Sequence, residues 1–110
     1  MLKYKIYLDD ILGAIAQIEK SLMSKSREYF EKDFDASEAT AMRLQIIGES
    51  IHKLPKELKE KYNEIDWDNF VRFRNTISHA YFKVNKELLW NTAKGDLMEL
   101  KKVVRRMIDG

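Results

Sequence analysis

Residues 4–22 read YKIYLDDILGAIAQIEKSL, and their apolar side chains recur at spacings of three and four. This periodicity places the apolar residues on one face of an α-helix and the charged residues on the other. We therefore predict a first helix from about Leu2 to Ser24. Gly13 either permits a close approach of another helix or is tolerated there at a cost of about 1 kcal/mol. The predicted apolar seam consists of Tyr4, Leu8, Ile11, Ile15, Ile18 and Leu22.

The next segment, Ser26 to Asp33, is predicted to be a polar connection or a continuation of the helix, with Tyr29 and Phe30 as apolar anchors. A second helix is predicted to begin near Asp35, because Asp35 followed three residues later by Glu38 resembles a capping box.

This second helix is predicted to extend to Leu54 and to carry a broad apolar face. Glu49 lies one helical turn before Lys53, which predicts a surface ion pair between the two. His52, near the end of the helix, is expected to interact with the helix dipole or with solvent. The predicted face consists of Ala39, Met42, Leu44, Ile46, Ile47 and Ile51.

Three further helices are predicted in the second half of the chain. A short helix is predicted from Pro55 to about Tyr62, because proline suits the first turn of a helix. Asp66 is predicted to cap a helix that begins at Trp67. The last helix is predicted from Asn85, as its cap, to about Ile108. Its apolar positions are Leu89, Ala93, Leu97, Leu100, Val104 and Met107.

The composition predicts one folded domain over residues 1–110. The chain has 45% hydrophobic and 35% charged residues, no cysteine and few strand signals. Short connections favour antiparallel neighbours, so we predict an all-α fold, a small bundle of four main helices plus a short one. A chain of this size gains buried surface by dimerising. No apolar run is long enough to span a membrane and no signal peptide is visible, so a cytoplasmic location is expected.

The net charge of +2 is too small to indicate nucleic-acid binding by itself. A local cluster of four basic residues near the end of the chain is either a basic surface or an ordinary solvated helix face, and the second reading is commoner. The cluster consists of Lys101, Lys102, Arg105 and Arg106.

The segment from Arg74 to Tyr81 contains the side chains that are best suited to catalysis. Asn75 and His79 are one turn apart on one helix face, and Arg74 is long enough to reach toward the same helix end. Histidine exchanges protons near neutral pH, and arginine binds phosphate through two donors. These groups suffice for RNA cleavage without a metal, and a metal site is not expected because carboxylate ligands are missing nearby. By spacing alone the signal is weak, and the commoner explanation is a surface ion pair for Arg74 and a helix C-terminal position for His79, where its charge is favourable.

Several blocks taken together resemble the HepT-like toxins of the HEPN superfamily. The matching positions are Tyr7-Leu8-Asp9-Asp10-Ile11, Arg43-Leu44-Gln45-Ile46-Ile47-Gly48-Glu49-Ser50, Leu54-Pro55, Tyr62, Ile65-Asp66-Trp67, Arg74-Asn75-Thr76-Ile77-Ser78-His79, Tyr81-Phe82 and Leu89-Trp90. The resemblance covers nearly the whole chain in order. Arg72 stands where the family commonly has a small residue, and Ser50 where it has alanine.

The resemblance implies a metal-independent endoribonuclease toxin of a type II toxin–antitoxin pair, with no cofactor. The family motif Arg-x4-His-x-Tyr falls on Arg74, His79 and Tyr81, and its polar residue falls on Asn75. The family forms homodimers whose motif helices line a shared cleft. Its antitoxin is a minimal nucleotidyltransferase of the MntA type, which can transfer AMP to the tyrosine, here Tyr81. A tyrosine at this position is also compatible with an aromatic anchor.

Two other functions stay open on the sequence. HEPN domains also serve as non-catalytic, nucleotide- or RNA-binding companion subunits of nucleotidyltransferases, and the same basic cleft would then bind without cutting. A purely structural helical adaptor is the third reading. Loss of RNA cleavage on substitution of Arg74 or His79 separates the enzyme from both.

Overall fold

The computed structural model describes residues 2–79 and 86–110, and at residues 2 and 76–79 it describes the backbone. These residues contain no strand, which confirms the all-α prediction. No helix among them is long and apolar enough to cross a membrane. After a short 3₁₀ turn at Leu2–Tyr4, the elements are α1 (Lys5–Leu22), α2 (Arg27–Lys32), α3 (Phe34–His52), α4 (Lys56–Lys61), α5 (Trp67–His79), α6 (Lys86–Asn91), a π-helical segment (Thr92–Asp96) and α7 (Leu97–Asp109).

Helix α1 packs against α3 and α7 and contributes one face of the core. Five of the six predicted seam positions are buried, and Tyr4 packs at the edge of the core, so the predicted seam is confirmed. A Cβ atom added to Gly13 would meet no other atom within 4 Å. Gly13 is therefore tolerated on an exposed face and does not mark a close approach of two helices.

The segment between α1 and α3 forms the short helix α2. The Ser26 hydroxyl caps this helix by accepting a hydrogen bond of 3.1 Å from the Tyr29 backbone N–H. Phe30 is fully buried, and its ring centroid lies 5.4 Å from that of Trp90. The Tyr29 side chain is 54% exposed. The anchor prediction is thus correct for Phe30 and wrong for Tyr29.

Helix α3 begins earlier than the sequence predicts. The Asp33 carboxylate accepts a hydrogen bond of 3.1 Å from the Ala36 backbone N–H, so Asp33 is the cap and Asp35 lies in the first turn. Asp33 also ends α2, because its own N–H donates to the carbonyls of that helix. The apolar face of α3 is narrower than predicted, since Met42 and Ile46 are 64% and 45% exposed.

The last predicted helix is interrupted by a π-helical turn. All six predicted stripe positions from Leu89 to Met107 are buried. A regular α-helix would rotate Leu97 about 80° away from Leu89 over these eight residues. The wider turn of the π-helical segment Thr92–Asp96 lets both leucines face the core. The predicted cap Asn85 lies outside the described residues.

The start of α5 is fixed by two sets of hydrogen bonds. The Asp66 carboxylate accepts from the Asn69 backbone N–H at 3.2 Å, which confirms the predicted cap. The indole N–H of Trp67 donates to the carbonyls of Lys59 and Tyr62 at 3.1 and 3.0 Å. These bonds tie the start of α5 to the end of α4, and the rest of α5 packs on α3.

Candidate active site

Three of the four motif residues lie in the second half of α5. Arg74 and Asn75 are within the helix, and His79 is its last residue. Asn75 is exposed. The side chain of His79 and the whole of Tyr81 lie outside the described residues, so their predicted roles stay predictions.

Arg74 sits at a close approach of α5 to α3. A Cβ atom on Gly48 of α3 would lie 2.5 Å from Arg74 Cβ and 2.9 Å from the Phe70 carbonyl oxygen. Only the hydrogen of glycine fits in this space, so the stem of the arginine rests directly on the backbone of α3. The close approach that one reading of the sequence assigned to Gly13 is therefore found at Gly48.

The residue after this glycine contacts the head of the arginine. Glu49 Oε2 lies 3.4 Å from Arg74 Nη1. The predicted ion pair of Glu49 with Lys53 is wrong, because the ammonium of Lys53 lies 5.6 Å above the centre of the Tyr7 ring on α1. Glu49 pairs with Arg74 instead of Lys53, because α5 brings the Arg74 guanidinium directly beside it.

The guanidinium of Arg74 is partly withdrawn from water. Its side chain is 22% exposed, against 47% for Glu49. Arg74 Nε is buried and has no hydrogen-bond partner among the described residues. A permanently charged group in such surroundings attracts anions more strongly than one in bulk water. An arginine held in this way is suited to bind a phosphate group.

Two other basic features of the chain contain residues that are already paired. Arg72 forms an exposed ion pair with Asp66 at 3.5 Å. In the basic cluster at the end of the chain, Lys101 contacts Glu19 at 2.9 Å and Lys102 contacts Glu99 at 3.8 Å. Arg106 of the same cluster pairs with Glu64. The cluster therefore resembles an ordinary solvated helix face more than a free basic surface.

Glu49 and Gly48 are the site residues that reasoning from the motif helix alone missed. Their signal was present in the block Ile46-Ile47-Gly48-Glu49, which was part of the family resemblance. Among the described residues, no group of three or more histidine and carboxylate side chains could hold a metal ion.

The all-helical fold of the described residues, with an Arg-x4-His pattern on α5, is consistent with a HEPN-type bundle. Residues 11–107 match the family model described as "Ribonuclease HepT-like". The chain therefore belongs to the HepT-like ribonuclease family.

Curated relatives are similar over most of this chain. A protein of Thermococcus cleftensis named "Probable ribonuclease HepT" is 38% identical over 98 residues, which cover 89% of this chain and 89% of the relative. A "Putative RNase" of Caldanaerobacter subterraneus is 33% identical over 102 residues, covering 93% and 91%. No solved structure matches significantly.

A longer relative combines this region with a second activity in its name. It is the "Gamma-glutamylcyclotransferase and putative RNase" of Methanocaldococcus jannaschii, 36% identical over 105 residues. The match covers 96% of this chain and 47% of the relative. The chain thus spans about half the length of that protein.

Proposed function

We propose that this protein is the endoribonuclease toxin of a toxin–antitoxin pair and that it cleaves RNA without a metal ion. The observation that carries the proposal is the partly buried Arg74 guanidinium, held on the motif helix beside Glu49. Relatives that span nearly the whole chain carry ribonuclease names, which supports RNA as the substrate.

The proposed reaction is an internal transesterification of RNA. His79 takes the proton of a ribose 2′-hydroxyl, whose oxygen forms a bond to the adjacent phosphorus while the bond from phosphorus to the 5′-oxygen breaks. The departing 5′-oxygen receives a proton from water or from a second copy of the site. Arg74 binds the phosphate and stabilises its growing negative charge, and Asn75 orients the imidazole.

We further propose that the active form is a homodimer. Met42 and Ile46 are exposed and lie on the same side of α3 as Glu49, because the spacings are four and three residues. Apolar side chains beside a charged site are a suitable surface for a second copy. A two-fold axis near this surface would bring two Arg74/His79 pairs to one cleft.

The dimer is tested by sedimentation velocity. Met42→Glu with Ile46→Glu should give monomers and lower the rate of RNA cleavage. Met98→Glu is the control, because Met98 is 47% exposed on α7, comparable with Ile46 at 45%. A double variant that stays dimeric would exclude this surface.

The ribonuclease activity is tested with purified protein and single-stranded RNA in excess EDTA. We expect cleavage by the wild type, none by His79→Ala and a loss on the order of 10²- to 10³-fold for Arg74→Ala, the size typical of removing one transition-state donor. Arg105→Ala is the control on an exposed site of α7. Cleavage that survives His79→Ala, or that is lost with the chelator, would contradict the proposal. RNA that is bound but not cut would indicate a companion subunit instead.

The proposed antitoxin is an MntA-like minimal nucleotidyltransferase that transfers AMP from ATP to the Tyr81 hydroxyl and releases pyrophosphate. The added phosphodiester places negative charge near the RNA-phosphate site. Incubation with the nucleotidyltransferase and ATP should add the mass of AMP to the Tyr81 peptide in the wild type and in Tyr29→Phe. Equal modification of Tyr81→Phe would exclude this acceptor.

A further inference from the structure

We propose that Glu49 is the positioning residue of this site and that it holds the Arg74 guanidinium ready for the phosphate before RNA binds. The inference rests on the proposed role of Arg74. It is carried by three facts about neighbouring atoms: the ion pair between the two side chains, the stem of Arg74 against Gly48, and the buried Arg74 Nε.

The three contacts restrain different parts of one side chain. Gly48 leaves no space for a side chain of its own, so the Cβ and Cγ atoms of Arg74 lie on the helix backbone. Nε, at the middle of the side chain, is enclosed. Glu49 attracts Nη1 at the far end. An arginine side chain has many rotamers, and a carboxylate at its end removes the ones that point away from the site.

The burial of the Arg74 side chain sets it apart from the other arginine of α5 that forms an ion pair. Arg72, two residues earlier on the same helix, pairs with Asp66, and these side chains are 64% and 68% exposed. Arg74 is only 22% exposed. A group that is fixed in a water-poor place before the reaction needs little reorganisation when charge develops on the phosphate. Glu49 therefore acts on the reaction through Arg74.

The Glu49 carboxylate should also weaken RNA binding, so its removal should affect kcat and KM differently. A carboxylate beside a phosphate site repels RNA, so removing it should strengthen binding. Removing it should also loosen Arg74 and slow the chemical step. The expected result is a fall in kcat without a rise in KM, whereas a general loss of structure would impair both.

The first test is steady-state cleavage of a short single-stranded RNA. Glu49→Ala should lower kcat about 10²-fold, as for a displacement of a catalytic group by about 1 Å, with KM unchanged or lower. Glu49→Asp should recover part of the loss. The pH profile should keep the shape of the wild type. Glu64→Gln is the matched control, because Glu64 is 48% exposed and also pairs with an arginine, Arg106, on another helix.

A double-variant comparison tests whether Glu49 acts through Arg74. In the Arg74→Ala background, Glu49→Ala should have no further effect on kcat, since there is then no guanidinium to position. Three results would overturn the proposal: wild-type kcat in Glu49→Ala, equal losses in both backgrounds, or the disappearance of one limb of the pH profile in Glu49→Gln. The last would make Glu49 a proton-transfer group.

A second measurement does not depend on activity. The Nε–H of Arg74 should give a slowly exchanging signal in nitrogen-15 NMR spectra of the wild type, because Nε is buried. This signal should exchange rapidly with water in Glu49→Ala and stay protected in Glu64→Gln. An unchanged signal in Glu49→Ala would refute the positioning role. A protein that shows this change but never cleaves RNA would refute the proposed function and leave the structural role of Glu49 intact.

Discussion

Replacing Gly48 by alanine tests the close approach of α3 and α5 directly. The new Cβ would lie 2.5 Å from Arg74 Cβ, whereas carbon atoms in ordinary contact are about 3.5–4.0 Å apart. The nearest atoms are the root of a side chain and the Phe70 carbonyl oxygen, so neither can turn away like the end of a flexible side chain. The helices must therefore separate locally by about 1 Å.

The expected effect on stability is obtained by comparison with Gly13→Ala. Both variants gain about 1 kcal/mol in helix propensity. Only Gly48→Ala adds the overpacking cost of about 1–3 kcal/mol, because a Cβ at Gly13 meets nothing within 4 Å. Urea unfolding at one protein concentration should thus show Gly48→Ala less stable than Gly13→Ala by about 1–3 kcal/mol.

The same displacement should impair catalysis. Moving Arg74 by about 1 Å is expected to lower kcat on the order of 10²-fold, while Gly13→Ala should cleave RNA like the wild type. If Gly48→Ala matched Gly13→Ala in both unfolding midpoint and cleavage rate, the reasoning about this contact would be refuted.

Three further predictions concern stability. Asp33→Ala should lower the free energy of unfolding by about 1 kcal/mol and Asp35→Ala by less, as measured with urea, because only Asp33 caps α3. Thr40→Val should be neutral or stabilising in the same assay, since the buried Thr40 hydroxyl has no hydrogen-bond partner among the described residues. The hydrogen bond from Arg106 lowers the pKa of Glu64. The wild type should therefore be more stable than Glu64→Gln at pH values above the ordinary glutamate pKa. This difference in stability should disappear as the pH falls through the lowered pKa of Glu64 in the folded protein, as measured by thermal unfolding at a series of pH values.

Features that depend on periodicity could be predicted from the sequence. The α1 seam and the stripe from Leu89 to Met107 follow from recurrence at three and four residues, and the core uses both. The cap at Asp66 could also be predicted from the sequence, because this aspartate directly precedes Trp67, the first residue of α5. Local rules suffice where the competing local choices are few.

Features that depend on tertiary contacts could not be predicted in this way. Asp33 and Asp35 are similar capping candidates by composition, and the end of α2 decides between them, since Asp33 closes one helix and opens the next. Glu49 had a lysine at the favourable local spacing, and only the packing of α5 on α3 shows that it pairs with Arg74.

The π-helical turn at Thr92–Asp96 determines where the last helix can lose a residue without exposing its apolar stripe. Deleting one residue there would reduce the spacing of the Leu89 and Leu97 positions from eight to seven, and a step of seven residues in an α-helix returns to nearly the same face. Within α7, by contrast, a one-residue deletion would rotate every later side chain by about 100° and expose the stripe to solvent. We therefore expect a one-residue deletion in this last helix to be tolerated at the π-helical turn and to be destabilising on either side of it.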